Sequence, residues 1–207
     1  MEQDVYQVIT APSEGLYKEK GSKFLAFALP VDSEEDVKQH LAALKKQYYD
    51  ARHHCYAYCL GEQAEHYRAN DDGEPNHSAG DPILGQIRAH QLTNTLVVVV
   101  RYFGGTKLGV SGLIQAYRTA ASEALSTAAI DQRYRCQQFD IRCAYPDLSW
   151  VMYQCKQVDA EILEQTWHTD CHLKVAVRLQ YAATFDTQMQ GQPQISCNAT
   201  TTPLTTK

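Results

Sequence analysis

Four short stretches in the first half of the chain contain most of the side chains that could do chemistry. The first has adjacent histidines after an arginine, the second has three carboxylates, and the last has four glycines and two cations. The stretches span residues 51–55, 71–75, 78–84 and 101–113. These residue types bind phosphate or metal ions and transfer protons, so they predict a site in this half.

The glycine-rich stretch lies between a predicted buried strand and a predicted helix. Its glycines, Gly104, Gly105, Gly109 and Gly112, allow close approach of the backbone to a ligand, and amides at a helix N-terminus attract anions. This pattern predicts a phosphate cradle, although it is not a P-loop, because Lys107 is not followed by Ser or Thr. A tight turn that needs small residues for packing is an equal alternative.

The acidic stretch offers Asp71, Asp72 and Glu74, whose oxygens suit a hard cation. The same residues around a glycine are typical of a β-turn, and this interpretation is favoured. His53 and His54 point to opposite faces of a strand, so they do not easily share one metal ion. These five residues are predicted to line the site, and no metal or cofactor is expected.

The seven cysteines form no C-x-x-C pair, so their spacing does not predict a structural zinc site. Cys55 and Cys59 lie four residues apart on a predicted strand and favour small buried side chains over a thiol nucleophile. The acidic N-terminus has no secretory signal pattern. We therefore expect reduced thiols and a cytoplasmic protein.

The composition of the chain limits its partners. With 207 residues, a net charge of −5 and a pI near 5.9, it does not have the basic balance of a protein that coats DNA. Any contact with nucleic acid must therefore be local. The longest apolar run, residues 96–100, is too short to cross a bilayer, and no membrane partner is expected.

Hydrophobic patterning divides the chain near residue 130 and predicts an α+β protein with domains 1–130 and 131–207. In the first half it predicts a loop at 61–80, strands at 22–29, 55–60 and 95–102, and helices at 33–48, from 81–82, and at 113–127. In the second half it predicts strands at 134–145, 160–166, 172–179 and 194–198, helices at 147–158 and 183–190, and a frayed tail at 199–207. The order β-α-β-β-α-β is that of ferredoxin-like domains.

The motifs together resemble the YigZ/IMPACT family, in particular its bacterial YigZ-type members. The resemblance covers roughly residues 15–125 and is carried by A-R-H-H-C, D-D-G-E-P, A-G with P-I-L, V-V-R-Y-F-G-G with K-L-G, and G-L with A-Y. His77 and Ser111 stand where the family usually has glycine. The second half matches the family only by length and element order.

The resemblance implies a first domain like ribosomal protein S5 domain 2, an α/β sandwich, followed by a ferredoxin-like domain. This pair is similar to domains IV and V of elongation factor G. Eukaryotic IMPACT proteins are translational regulators that act through protein partners. The resemblance therefore implies translation-linked regulation without specifying a biochemical activity.

Three functional hypotheses follow. The leading one is a regulator that binds RNA or the ribosome, with no catalysis. The residues expected to contact nucleic acid or phosphate are Arg52, Arg101, Tyr102, Gly104, Gly105, Lys107, Gly109, Ser111 and Gly112. The alternative is a metal-assisted hydrolase of a phosphorylated small molecule, with a histidine base and a metal on the acidic stretch. The third is a module that binds a protein partner at the second domain's sheet.

Overall fold

The computed structural model describes the backbone of residues 4–206 and the side chains of residues 4–200. The chain forms two compact units, the first comprising residues 6–131 and the second the remainder. The structure is α+β, with two sheets and five α-helices in the described chain. None of the described helices is both long enough and apolar enough to cross a bilayer.

The first unit is built on an antiparallel sheet with helices on both faces. Its strands are β2 (Ser13–Glu19), β3 (Ser22–Pro30), β4 (His53–Leu60), β5 (His66–Asn70) and β6 (Thr95–Tyr102), and its helices are α1 (Glu34–Gln47), α2 (Gly80–Ala89) and α3 (Gly109–Ser126). Strand β1 (Val5–Ile9) precedes them in the chain and is not part of this sheet. The strand order is β2-β3-β6-β4-β5. Alternate residues of each strand point to opposite faces, so one face packs on α2 and α3 and the other on α1.

Helix α1 forms where the sequence predicts it. The hydroxyl of Ser33 accepts a hydrogen bond from the amide of Asp36 at 3.2 Å and caps the N-terminus. Val37 and Leu44 are buried against the sheet. The predicted strand at 95–102 is also confirmed as β6, the central strand, and its residues are buried up to Arg101.

Other boundaries in the first unit differ from the predictions. The predicted loop at 61–80 contains β5, a mostly exposed strand that pairs along its length with β4. Strands β1 and β2 were not predicted; β2 is a half-exposed edge strand with several polar residues, which give a weak local signal. Helix α3 starts four residues earlier than predicted, so Gly109, Ser111 and Gly112 belong to the helix and the turn is confined to 103–108.

The second unit has the ferredoxin-like order of elements. They are β7 (Ile130–Cys143), α4 (Leu148–Gln157), β8 (Glu161–Trp167), β9 (Cys171–Arg178), α5 (Leu179–Gln190) and β10 (Ser196–Thr206). Antiparallel pairing gives the strand order β10-β7-β9-β8, and a core between the sheet and both helices includes Phe139, Val151 and Phe185. The prediction of a frayed tail is wrong for residues 199–206, which pair with β7 in β10; Lys207 lies outside the described residues.

Candidate functional site

The motif-bearing stretches meet at one end of the first unit's sheet. His53, at the start of β4, lies opposite Arg101 on β6. The acidic stretch folds over these strand ends, and Tyr117 of α3 approaches from the helical layer. The structure therefore brings the predicted lining residues to a single region of the fold.

Asp71 fixes the acidic stretch to the start of α2. Its carboxylate accepts hydrogen bonds from the amides of His77 at 2.8 Å, Ala79 at 2.9 Å and Gly80 at 2.8 Å. These amides have no partner inside the helix, and a carboxylate is favoured at a helix N-terminus. His77 has φ +63°, a left-handed conformation that glycine adopts more readily than any residue with a side chain.

Asp72 ties the same stretch to β4. Its carboxylate accepts the amide of His54 at 2.7 Å, and its carbonyl oxygen lies 2.8 Å from Nδ1 of His53. A carbonyl only accepts, so Nδ1 of His53 carries the proton. His54 is buried, and burial lowers the pKa of its imidazole. The two histidines are thus held separately.

Glu74 forms the centre of the cluster. Its side chain is 5 % exposed, and one oxygen accepts from Arg101 Nη1 at 2.5 Å and from the Tyr117 hydroxyl at 2.8 Å. Nε2 of His53 lies 4.0 Å from the same oxygen. A buried carboxylate requires a paired charge and hydrogen bonds, and this arrangement supplies both.

Arg101 is buried, which differs from the exposed role that its sequence context predicts. Its side chain is 7 % exposed and its guanidinium carbon lies 5.4 Å and 5.6 Å from the ring centres of Phe24 and Phe103. In this arrangement the guanidinium forms an ion pair with Glu74. The phosphate contact predicted for Arg101 stays a prediction, and solvent-facing cations must provide the first contact with any anion.

Cys55 and Tyr117 are kept protonated. The Cys55 thiol lies 3.0 Å from the carbonyl oxygen of Asp71 and 3.3 Å from the Tyr117 hydroxyl. Burial is the main cause that raises the pKa of both groups well above their usual ranges. A protonated thiol is a poor nucleophile, so the geometry gives Cys55 a packing and hydrogen-bonding role.

The three carboxylates of the acidic stretch do not converge. Asp71 caps α2, Asp72 binds β4, and Glu74 pairs with Arg101. Within the described part of the chain, no three His, Cys, Asp or Glu side chains are grouped to hold a metal ion. The donor arrangement required by the metal-assisted hydrolase hypothesis is thus not assembled from these residues.

The turn at 103–108 is exposed on the outer side of this cluster. Lys107 is exposed, as is Arg52 at the start of β4. Gly104 contacts the β2–β3 hairpin turn, and its amide donates to the hydroxyl of Ser22 at 3.1 Å. Tyr102 is half-buried and its hydroxyl donates to Asp50 at 2.7 Å.

The exposed and buried members of the predicted set are therefore separated. Gly104, Gly105, Gly109 and Ser111 face solvent, and Gly112 is half-buried in the first turn of α3. Sequence reasoning gave no role to Tyr117. Its place four residues after Leu113 on the buried face of α3 indicates core packing, and only the fold shows that its hydroxyl reaches Glu74.

Comparison with known proteins identifies the family. The Impact N-terminal domain matches residues 20–125. An IMPACT family member of Haemophilus influenzae is 31% identical over 172 residues, covering 82% of this chain and 84% of that protein. The IMPACT family member YigZ of Escherichia coli is 29% identical over 181 residues, covering 86% and 89%.

A solved structure supports the fold over nearly the whole chain. It is a crystal structure described as that of a hypothetical protein, with a TM-score of 0.65 at 26% identity, covering 96% of this chain and 98% of that one. With the conserved-domain match over half of its length, the chain belongs to the IMPACT family.

The ion pair at the centre of the cluster predicts a large stability effect. We expect Arg101→Met to lower the free energy of unfolding by about 3–5 kcal/mol, because it leaves the Glu74 carboxylate buried and unpaired. A double variant with Glu74→Leu should lose less than the sum of the two single variants, because both charges are removed. Urea unfolding monitored by circular dichroism measures all three.

The matched control is Lys38→Met, which removes an exposed ion pair with Glu35. Such a pair contributes about 0–1 kcal/mol. If Arg101→Met were as mild as this control, the ion pair with Glu74 would not be a major support of the fold.

The contact between the turn and the hairpin predicts a second effect. A Cβ on Gly104 would lie 1.9 Å from the carbonyl carbon of Gly21, which is backbone, so Gly104→Ala should cost about 1–3 kcal/mol in unfolding free energy. Gly85→Ala is the control, because its Cβ meets no atom within 4 Å on an exposed side of α2. Gly85→Ala should raise the free energy of unfolding by about 0.5–1 kcal/mol. Equal melting temperatures for the two variants would contradict the close contact between Gly104 and Gly21.

Proposed function

We propose that the first unit binds RNA or the ribosome through the exposed turn at 103–108 and its flanking cations, and that it acts in the regulation of translation. Membership of the IMPACT family supports this role, because the motifs shared with eukaryotic IMPACT proteins imply translation-linked regulation. The physical support comes from the charges that remain open to solvent around the turn.

The observation that carries the proposal is the position of Arg52 and Lys107. Both side chains are exposed, and neither forms an ion pair with the side chains described between residues 4 and 200. Arg52 precedes His53, which lies opposite Arg101, so it sits at the same end of the sheet as the turn. Lys107 lies two residues before α3, whose first turn has no acidic residue and no side-chain cap.

A binding role is favoured over catalysis because the buried carboxylate behind the turn is paired and the buried thiol and phenol there are held protonated. Glu74 is paired with Arg101, and burial keeps Cys55 and Tyr117 protonated. A general base or nucleophile must be free to exchange a proton with substrate. The buried cluster supports the shape of the outer surface.

The charge balance sets the expected strength of binding. A net charge of −5 opposes broad association with a polyanion, so contact is restricted to the local cations. Phosphate contacts release counterions, which makes such binding depend strongly on salt. We therefore expect modest affinity that falls steeply between low and physiological ionic strength.

The test is co-sedimentation of the purified protein with ribosomes and their subunits across a salt series. We expect the wild type to pellet at low salt and the Arg52→Ala, Lys107→Ala double variant to pellet at least several-fold less. Loss of two phosphate contacts should reduce the slope of log affinity against log salt by about 1.4–1.8.

The control is the Lys38→Ala, Lys156→Ala double variant, which removes the same charge from α1 and α4. It should pellet like the wild type. If the wild type fails to pellet at any salt concentration, direct ribosome binding is wrong. If both double variants pellet equally, the turn is not the contact surface.

A further inference from the structure

A groove of about 450 Å³ lies beside the turn, on the α1 face of the first unit's sheet. It is lined by Leu16, Lys18, Gly21, Lys23, Leu25, Tyr48, Tyr102 and Phe103. Its volume falls within the roughly 300–1,000 Å³ typical of small-molecule sites. The lining combines aromatic rings with two ammonium groups and has no carboxylate.

The two lysines form an unusual pair. Lys18 on β2 lies directly opposite Lys23 on β3, and Lys23 lies directly opposite Tyr102 on β6. Side chains in one such row share a face of the sheet, and like charges opposite each other are destabilising. Neither lysine forms an ion pair with any side chain described in the structure. Their juxtaposition is relieved by an anion that both can contact.

The aromatic side of the groove is partly exposed. Phe103 is 51 % exposed. Tyr102 is anchored by its hydrogen bond to Asp50, which is the main cause that raises the pKa of its hydroxyl to about 12, so it stays a neutral phenol. Tyr48 packs at the end of α1. Base stacking on such rings is tolerant of sequence.

We infer that this groove binds one nucleotide of single-stranded RNA, with its phosphate between Lys18 and Lys23 and its base against the aromatic rings. The inference rests on the proposed RNA-binding function and adds a second contact surface to it. The ligand must be both anionic and flat, because the lining offers paired ammonium groups in one half and aromatic rings in the other. A nucleotide has both properties in one unit.

The position of the groove relative to the turn favours a strand over a free nucleotide. Gly21 lines the groove and its backbone contacts Gly104, the second residue of the turn. The hydrogen bond from Gly104 to Ser22 holds the hairpin and the turn together. An RNA strand that leaves the groove therefore meets the turn that carries Lys107.

The test titrates the full chain with AMP as the first probe. Binding is measured from the NMR chemical shifts of the backbone amides. We expect AMP to shift the amides of β2, β3 and Phe103. Adenosine and ribose 5-phosphate, which each lack half of the ligand, should bind at least tenfold more weakly. The Lys18→Ala, Lys23→Ala double variant should lose at least tenfold in AMP affinity, and Phe103→Ala should weaken it too.

Both lysines are exposed, so the double variant should keep the wild-type melting temperature. The Lys38→Ala, Lys156→Ala double variant is the charge-matched control and should bind AMP like the wild type. If AMP binds the groove variant and the control equally, or if adenosine binds as tightly as AMP, the inference is overturned.

A second arm uses a hexanucleotide of adenylate. Its affinity should exceed that of AMP and should fall in both the groove variant and the Arg52→Ala, Lys107→Ala turn variant, whereas AMP binding should fall only in the former. If the hexanucleotide binds no more tightly than AMP, the assignment to a strand is wrong. Ribosome pelleting that depends on the turn without any AMP binding would overturn this inference and leave the proposed function standing.

Discussion

The carboxylate of Glu74 is the group on which the arrangement of the first unit's site depends. It comes from the acidic stretch, yet its partners belong to the central strand β6 and to α3. Removing a carboxylate from water costs several kcal/mol unless a counter-charge and hydrogen bonds compensate. Because Arg101 and Tyr117 supply that compensation, the acidic stretch is bound closely to the sheet, and α2 starts where Asp71 can cap it.

This use of charge inside the fold determines what is left outside. Arg101 and Glu74 neutralise each other, so neither contributes much to the field at the surface. The cations that remain open to solvent near the turn include Arg52 and Lys107, with Lys18 and Lys23 in the groove. In a chain of net charge −5, such a local group of cations determines where a polyanion can approach.

The elements that the sequence predicted well are those with strong local signals. Helix α1 has a serine cap and a regular apolar stripe, and β6 is a continuous apolar run. Strands β2 and β5 are edge strands with polar, half-exposed residues, and backbone pairing with a neighbour defines them. The start of β10 lies within the strand predicted at 194–198, whereas its continuation through 199–206 is defined by pairing with β7, which no local pattern of threonines specifies.

The candidate site likewise has one part that the sequence predicts and another that only the fold shows. The motifs indicated which stretches belong together, and the structure brings them to one end of the sheet. The burial and pairing of Arg101 could not be predicted from neighbouring residues, because they depend on a carboxylate 27 residues earlier and a hydroxyl on α3. A cation beside glycines looks equally suited to a phosphate or to an internal partner until the fold shows which one it reaches.

The close approach of Gly104 to Gly21 connects the buried and exposed parts of the site. Two backbones meet where a side chain would clash, and the hairpin turn itself needs left-handed residues, with φ +46° at Lys20 and +80° at Gly21. The hairpin presents the paired lysines and the turn presents Lys107, so this contact fixes the separation of the two cationic surfaces. In the proposed complex an RNA strand meets charges whose spacing is already set by the fold, and less ordering is required on binding than flexible loops would need.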